Sequence, residues 1–137
     1  MINFYINRVS YKLPYGFKKE CRSVLYTIAE SENRKINSLN IIITSDKELL
    51  SLNNQYLQHD YFTDIITFDY TESNCLKGEM YISIERIMEN AKTYNQTVEL
   101  ELQRIIIHGL LHLCRYSDKT ENEKKLMTEK ENYYLKK

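Results

Sequence analysis

Two of the chain's three histidines, His108 and His112, stand four residues apart inside the apolar run from Leu102 to Leu113, LQRIIIHGLLHL. At 3.6 residues per turn both imidazoles share one face of a helix, one turn apart, where they can point at a common atom. Ile105, Ile106, Ile107, Leu110, Leu111 and Leu113 leave that helix almost no polar face, so it should be central and covered on most sides. Burying an unpaired imidazole costs about 1 to 3 kcal/mol, and the pair therefore needs partners. A divalent metal would satisfy both rings at once; the alternative is that each ring bonds a nearby carbonyl or carboxylate. The apolar setting, the scarcity of other histidines and an acid, Asp118, six residues after His112 favour the metal. Gly109 adds to this, because glycine weakens a helix by about 1 kcal/mol relative to alanine and implies close approach by another element.

A straight helix would carry Asp118 about 240° round from His112, so the chain must turn first. Cys114-Arg115-Tyr116-Ser117 supplies that turn and would bring the Asp118 carboxylate back toward the histidines. Two imidazoles, one carboxylate and an open fourth position describe a catalytic zinc site, one ion per chain, although iron, nickel or cobalt accept the same donors. The metalloprotease motif H-E-x-x-H is broken by Gly109 at the position of its general base, so peptide hydrolysis is not expected.

The H-G-L-L-H-L stretch with its turn and Asp118 resembles the signature of the YbeY family of metal-dependent endoribonucleases. Leu52-Asn53 with Tyr56, the run Thr63-Asp64-Ile65-Ile66-Thr67-Phe68, and Gly78-Glu79-Met80-Tyr81-Ile82 are similar to further family motifs, in the same order. The resemblance implies a single-strand-specific, zinc-dependent endoribonuclease of small-subunit ribosomal RNA maturation and ribosome quality control. Its implied partners are ribosomal RNA and ribosomal particles, with no membrane and no nucleotide cofactor. Three positions depart from the family pattern: Asp118 stands for a third histidine, Arg115 for a turn glycine, and Leu57 for an arginine. Aspartate ligates zinc as well, but the loss of the arginine passes the phosphate contact to another group, with Arg115 as one candidate and a turn cation of no special role as its plainer reading. No general base adjoins the motif; water acidified by the metal, or an acid brought in by the fold such as Asp64 or Glu79, would have to serve. Asp64 reads more simply as a hydrogen bonder at a strand end. A second reading is a non-catalytic, metal-stabilised ribosome-assembly factor that binds RNA without cutting it, which four protein ligands on the metal would favour.

The chain's 137 residues suffice for one domain, residues 1–137, with a core that needs no covalent staples. Hydrophobic content of 42% and charged content of 28% are those of a soluble globular protein. No stretch has the character of a leader or a membrane span, and three cysteines at unrelated spacings, Cys21, Cys75 and Cys114, suit a reducing compartment, so a cytoplasmic location is expected. Cys21 and Cys114 read as packing residues and Cys75 as a loop thiol. The net charge is zero, yet residues 1–37 carry seven Lys+Arg against three acids. That excess, with Lys18, Lys19 and Arg22 on one helix face, predicts a groove for RNA leading from the metal toward this helix.

Alternation and β-branched runs predict strands over Ile2–Val9, Leu39–Thr44, Thr63–Asp69 and Gly78–Ile84. Helical spacing predicts helices over Tyr15–Asn33, from Ser45 or Asp46 to Tyr56, over Glu85–Asn95, through the histidine motif after a Thr97 cap, and from a Thr120 capping box to Tyr134. His59 falls in a loop and is expected to face solvent. The short connection after Asp69 makes the last two strands antiparallel neighbours, while the strand-helix-strand units before it call for parallel pairing. The expected architecture is α+β: a mixed four-stranded sheet, three strands parallel and one antiparallel, packed with about five helices around a central metal-bearing helix.

Overall fold

A computed structural model describes residues 1–57 and 63–135, so the expectation for His59 lies outside the described residues. In chain order the elements are β1 (Ile2–Ile6), α1 (Phe17–Ser31), β2 (Lys35–Thr44), α2 (Asp46–Leu57), β3 (Ile65–Asp69), β4 (Cys75–Ser83), α3 (Ile84–Thr93), α4 (Val98–Leu113) and α5 (Glu121–Leu135). The strands form one sheet in the order β1-β2-β4-β3. β1, β2 and β4 run parallel and β3 runs against β4, which is the α+β architecture expected, with five helices.

The reversed strand is β3, and this corrects the parallel pairing expected of the unit β2-α2-β3. β2 already has β1 on one side and β4 on the other, so no ladder position beside it is left. β3 is instead tied to β4 by a short connection closed by reciprocal bonds between Glu72 and Cys75, N–H to carbonyl at 3.2 and 2.9 Å. So short a link permits only antiparallel pairing, and it leaves β3 on the sheet edge. Two strands also begin earlier than their apolar runs. Lys35 pairs with Cys75 and Ile36 with Leu76 ahead of a register shift, so Cys75 belongs to a strand and not to a loop.

Register explains where the core sits. Ile41 faces Met80 and Ile43 faces Ile82 across β2 and β4, and all four are fully buried on one side of the sheet. α4 lies on that side, enclosed by α1, α3 and α5. Its start is capped as expected by Thr97, whose hydroxyl accepts from Leu100 N–H at 3.1 Å, and the Thr120–Glu123 capping box closes the start of α5. Ser45, rather than Asp46, caps α2; Asp46 pairs with Arg86 and accepts from Ser83.

Two glycines set how closely α4 can lie on the sheet. A Cβ on Gly109 would come within 2.9 Å of Met80 Sδ and 3.0 Å of Ile65 Cδ1, and one on Gly78 within 2.7 Å of the Phe68 carbonyl oxygen and 3.2 Å of Leu113. Met80 is flexible and can yield at Gly109, whereas the clash at Gly78 is with backbone of the neighbouring strand. Gly78→Ala should therefore lose about 1 to 3 kcal/mol of stability, the usual cost of overpacking, read as a lower urea midpoint.

Candidate metal centre

His108 and His112 project from the last two turns of α4 with ring centroids 4.5 Å apart and planes at 86°. Their Nε2 atoms are 3.0 Å apart, and each lies 3.4 Å from Asp118 Oδ2. The three side chains named from the sequence thus converge on one point. The outer nitrogens are committed elsewhere: His112 Nδ1 donates to the Tyr116 carbonyl at 2.9 Å, and His108 Nδ1 meets Glu131 Oε2 at 2.7 Å. A carbonyl can only accept, so the His112 proton sits on Nδ1 and its Nε2 is a bare lone pair. A neutral His108 facing a carboxylate is in the same tautomer. Three acceptors therefore face one another without a donor between them, an arrangement that calls for a cation.

The spacing suits one. Zinc bonds of about 2.0 to 2.1 Å in tetrahedral directions separate ligand atoms by roughly 3.3 Å, close to the two histidine-aspartate distances. His108, His112 and Asp118 could hold a metal ion, and among the described residues this is the cluster able to do so. Both readings of the histidine pair turn out compatible: the carbonyl and carboxylate occupy Nδ1, which is how metal-ligating imidazoles are usually oriented.

Glu131 is the residue that sequence reasoning missed. It is 8% exposed on α5, shares its carboxylate between His108 and Arg104 (3.1 Å), and belongs to a buried stripe of Met127, Glu131 and Tyr134 on an otherwise polar helix. An acid at a core position of that stripe was the available signal. Burial alone would lower the His108 pKa, but the hydrogen bond and charge of Glu131, with Asp118 and Asp64 behind, hold it above the ordinary imidazole value.

The three candidate ligands open into a cleft of about 490 Å³ at the β3 edge, walled by β3, α4, Asn53 of α2 and Asp118. Asp64 lies in it at the start of β3, accepting from Asn90 at 3.4 Å and, through its carbonyl, from Ser83 N–H at 3.0 Å, which is the strand-end role expected. Burial pushes its carboxyl up, against the pull of His108. Glu79 drops out as a candidate: it alternates with Gly78 and Met80, which touch α4, and so faces the opposite side of the sheet. The basic helix is not part of the cleft wall either. α1 sits over the β1–β2 half, where Phe17 packs on Phe4, and Arg22 is engaged there by the Ile2 carbonyl at 3.1 Å and the Phe4 ring. Cys114 is buried with its thiol pushed up to about 11 by burial, a packing residue as expected.

The YbeY model, described as "Endoribonuclease YbeY", matches residues 5–137. The chain belongs to the YbeY family. Relatives with the same description are 45% identical in Parabacteroides distasonis, over 90% of this chain and 87% of theirs, and 47% identical in Cytophaga hutchinsonii, over 86% and 83%. The solution structure of TM1509 from Thermotoga maritima superposes with a TM-score of 0.68 at 30% identity, covering 98% of this chain and 87% of that one.

In this YbeY chain the turn after His112 is a Schellman motif. Arg115 N–H donates to the His112 carbonyl and Tyr116 N–H to the Leu111 carbonyl, each at 3.0 Å, with Arg115 left-handed at φ 79. That conformation costs a non-glycine residue about 1 to 2 kcal/mol, and glycine regains it less about 0.5 to 1 in unfolded-chain entropy. Arg115→Gly should then raise stability by up to about 1 kcal/mol in a urea melt. A second expectation concerns pH. Metal needs Nε2 free of a proton, and the His108 pKa is held above its ordinary 6.5 in the metal-free protein, so as pH is lowered the affinity should begin to fall while still above pH 6.5, losing about tenfold per unit for each proton displaced. Stability of the metal-free protein should run the other way: the charged His108–Glu131 pair contributes fully below pH 6.5, and the gain fades as pH rises through the raised value. Metal titrations and melts across pH 5 to 9 read both.

Proposed function

We propose that this protein is a zinc-dependent, single-strand-specific endoribonuclease acting in small-subunit ribosomal RNA maturation, on ribosomal particles in the cytoplasm. Family membership and relatives named for endoribonuclease activity support the reaction class. The observation that carries the mechanism is the convergence of two bare Nε2 atoms and one carboxylate oxygen at the floor of an open cleft. When bound there, a divalent ion polarises a phosphoryl oxygen and acidifies water, the two demands of phosphodiester hydrolysis.

The chain's own residues do the rest. Glu131 and the Tyr116 carbonyl keep the imidazole lone pairs aimed into the cleft, and Asp118 brings a negative charge that offsets that of the ion. Among the described residues the walls contribute three ligands and not four, which supports catalysis over a purely structural metal. The cleft runs along the β3 edge, which pairs with no further strand among the described residues, a shape that suits an unpaired strand whose bases can splay, as single-stranded RNA recognition generally requires. No helix among the described residues is long and apolar enough to cross a membrane.

Asp64, Asp69 and Asp118 line the cleft, with no lysine or arginine among its described lining residues. An ion held by His108, His112 and Asp118 would supply positive charge toward a phosphate in this cleft, whose described walls do not include Lys18 or Lys19. Asp118→Ala should lose metal and cleavage while keeping its melting temperature in the metal-free state, because the apolar core does not include that side chain. Asp118→His should recover both. Lys18→Gln with Lys19→Gln should cleave at the wild-type rate, whereas chelation should weaken RNA binding as well as cleavage. Metal content, cleavage of a single-stranded RNA and binding to it, measured together, check the set; full metal retention by Asp118→Ala would refute the ligand assignment.

A further inference from the structure

The turn that carries Asp118 back to the histidines contains a left-handed arginine, and such a turn persists only when its surroundings hold it. What holds it comes from the far end of α1. That helix closes in a second Schellman motif, with Asn33 left-handed at φ 58 and Arg34 N–H donating to the Ala29 carbonyl at 2.7 Å. The motif aims two side chains at the ligand turn. Arg34 Nη2 reaches the Cys114 carbonyl at 3.5 Å, and Glu32, which caps α1, sends its carboxylate between the turn and α5.

There Glu32 Oε1 accepts from the Tyr116 hydroxyl at 2.8 Å and Oε2 from the Tyr134 hydroxyl at 2.6 Å, with Lys130 Nζ 3.5 Å away. Lys130 also lies 5.5 Å from the centre of the Tyr116 ring. Tyr116 is the residue whose carbonyl takes the His112 Nδ1 proton. Lys130 and Tyr134 flank Glu131, whose carboxylate orients His108. We propose that Glu32 is a positioning residue of the metal centre, tying together the two groups that keep His108 and His112 in their metal-binding orientation. A phenylalanine at either tyrosine would fill the same space, so packing alone does not call for two phenols on one carboxylate. Their hydroxyls and Lys130 outweigh the effect of burial and hold Glu32 below its ordinary carboxyl pKa, so it stays an acceptor for both.

The inference rests on the metal reading, and its test separates the two. Glu32→Gln removes the charge, Tyr116→Phe removes one hydroxyl and leaves the carbonyl, and Arg22→Gln breaks a bond of the same helix to the Ile2 carbonyl, away from the turn. Three readouts apply: Zn²⁺ and Co²⁺ affinity by chelator competition, the visible bands of the cobalt-loaded protein, and the ring ¹⁵N shifts of His112 in the metal-free protein. Glu32→Gln and Tyr116→Phe should each weaken metal binding by roughly tenfold, the scale of outer-shell substitutions. Both should move the cobalt bands and let His112 populate its other tautomer, while Arg22→Gln changes none of these. Wild-type affinity, bands and tautomer in the folded Glu32→Gln and Tyr116→Phe variants would overturn the proposal, as would equal losses in Arg22→Gln. Should the wild type take up neither metal, the ligand reading fails by itself, and the His112 tautomer decides the role of Glu32 alone. If Glu32→Gln does not fold, the loss of one hydroxyl in Tyr116→Phe carries the same test.

Discussion

Two imidazole nitrogens bearing lone pairs, held 3.0 Å apart with a carboxylate oxygen 3.4 Å from each, repel one another in the absence of a cation. The groups that hold them there come from three separate parts of the chain. Glu131 arrives on α5, the Tyr116 carbonyl on the Schellman turn, and Asp118 on the segment that follows. The turn is closed by its Schellman bonds around a left-handed Arg115, and α5 is anchored by its buried stripe at Met127, Glu131 and Tyr134. Burial would lower the His108 pKa, but the hydrogen bond and charge of Glu131, with Asp118 and Asp64 behind, hold it above its ordinary value in the metal-free protein. Proton and metal thus compete for one lone pair.

The sheet topology decides where this centre opens. Had β3 continued the parallel series beside β2, the far edge of the sheet would be β4, and α4 would have lain over strands buried on both sides. Because β3 folds back along β4, its outer edge pairs with no other strand among the described residues, and the cleft forms between that edge and the C-terminal turns of α4. The close approach that brings His108 and His112 near β3 is possible because Gly78 and Gly109 present no side chains at the contact.

The convergence of His108, His112 and Asp118 was readable from the sequence because its signal is local: two histidines four apart in an apolar helix, with an acid just beyond a turn. The helices and strands were readable for the same reason, since periodicity and caps are local too. What escaped is what depends on partners distant in the chain. Glu131 reads as one more acid on a polar helix until α5 is seen packed on α4. The β1–β2–β4 pairing is decided by which ladder positions are already taken, and the early starts of β2 and β4 by each other, since Lys35 and Ile36 become strand residues only opposite Cys75 and Leu76. The basic helix is likewise absent from the described walls of the cleft. Composition locates charge along the chain, whereas the fold sets α1 above the opposite half of the sheet from the cleft.

That separation has an electrostatic consequence. A polyanion entering the described cleft meets Asp64, Asp69 and Asp118 and no lysine or arginine among its described lining residues. Three carboxylates, of which Asp64 is the most enclosed while Asp69 and Asp118 stay open to solvent, give the cleft a negative character that disfavours phosphate. A divalent ion held by His108, His112 and Asp118 would reverse that balance at the point where they converge. Binding and catalysis then draw on the same charge. A chain of zero net charge could act on RNA in this way, the positive group being one that the three converging side chains could hold and the sequence does not itself carry.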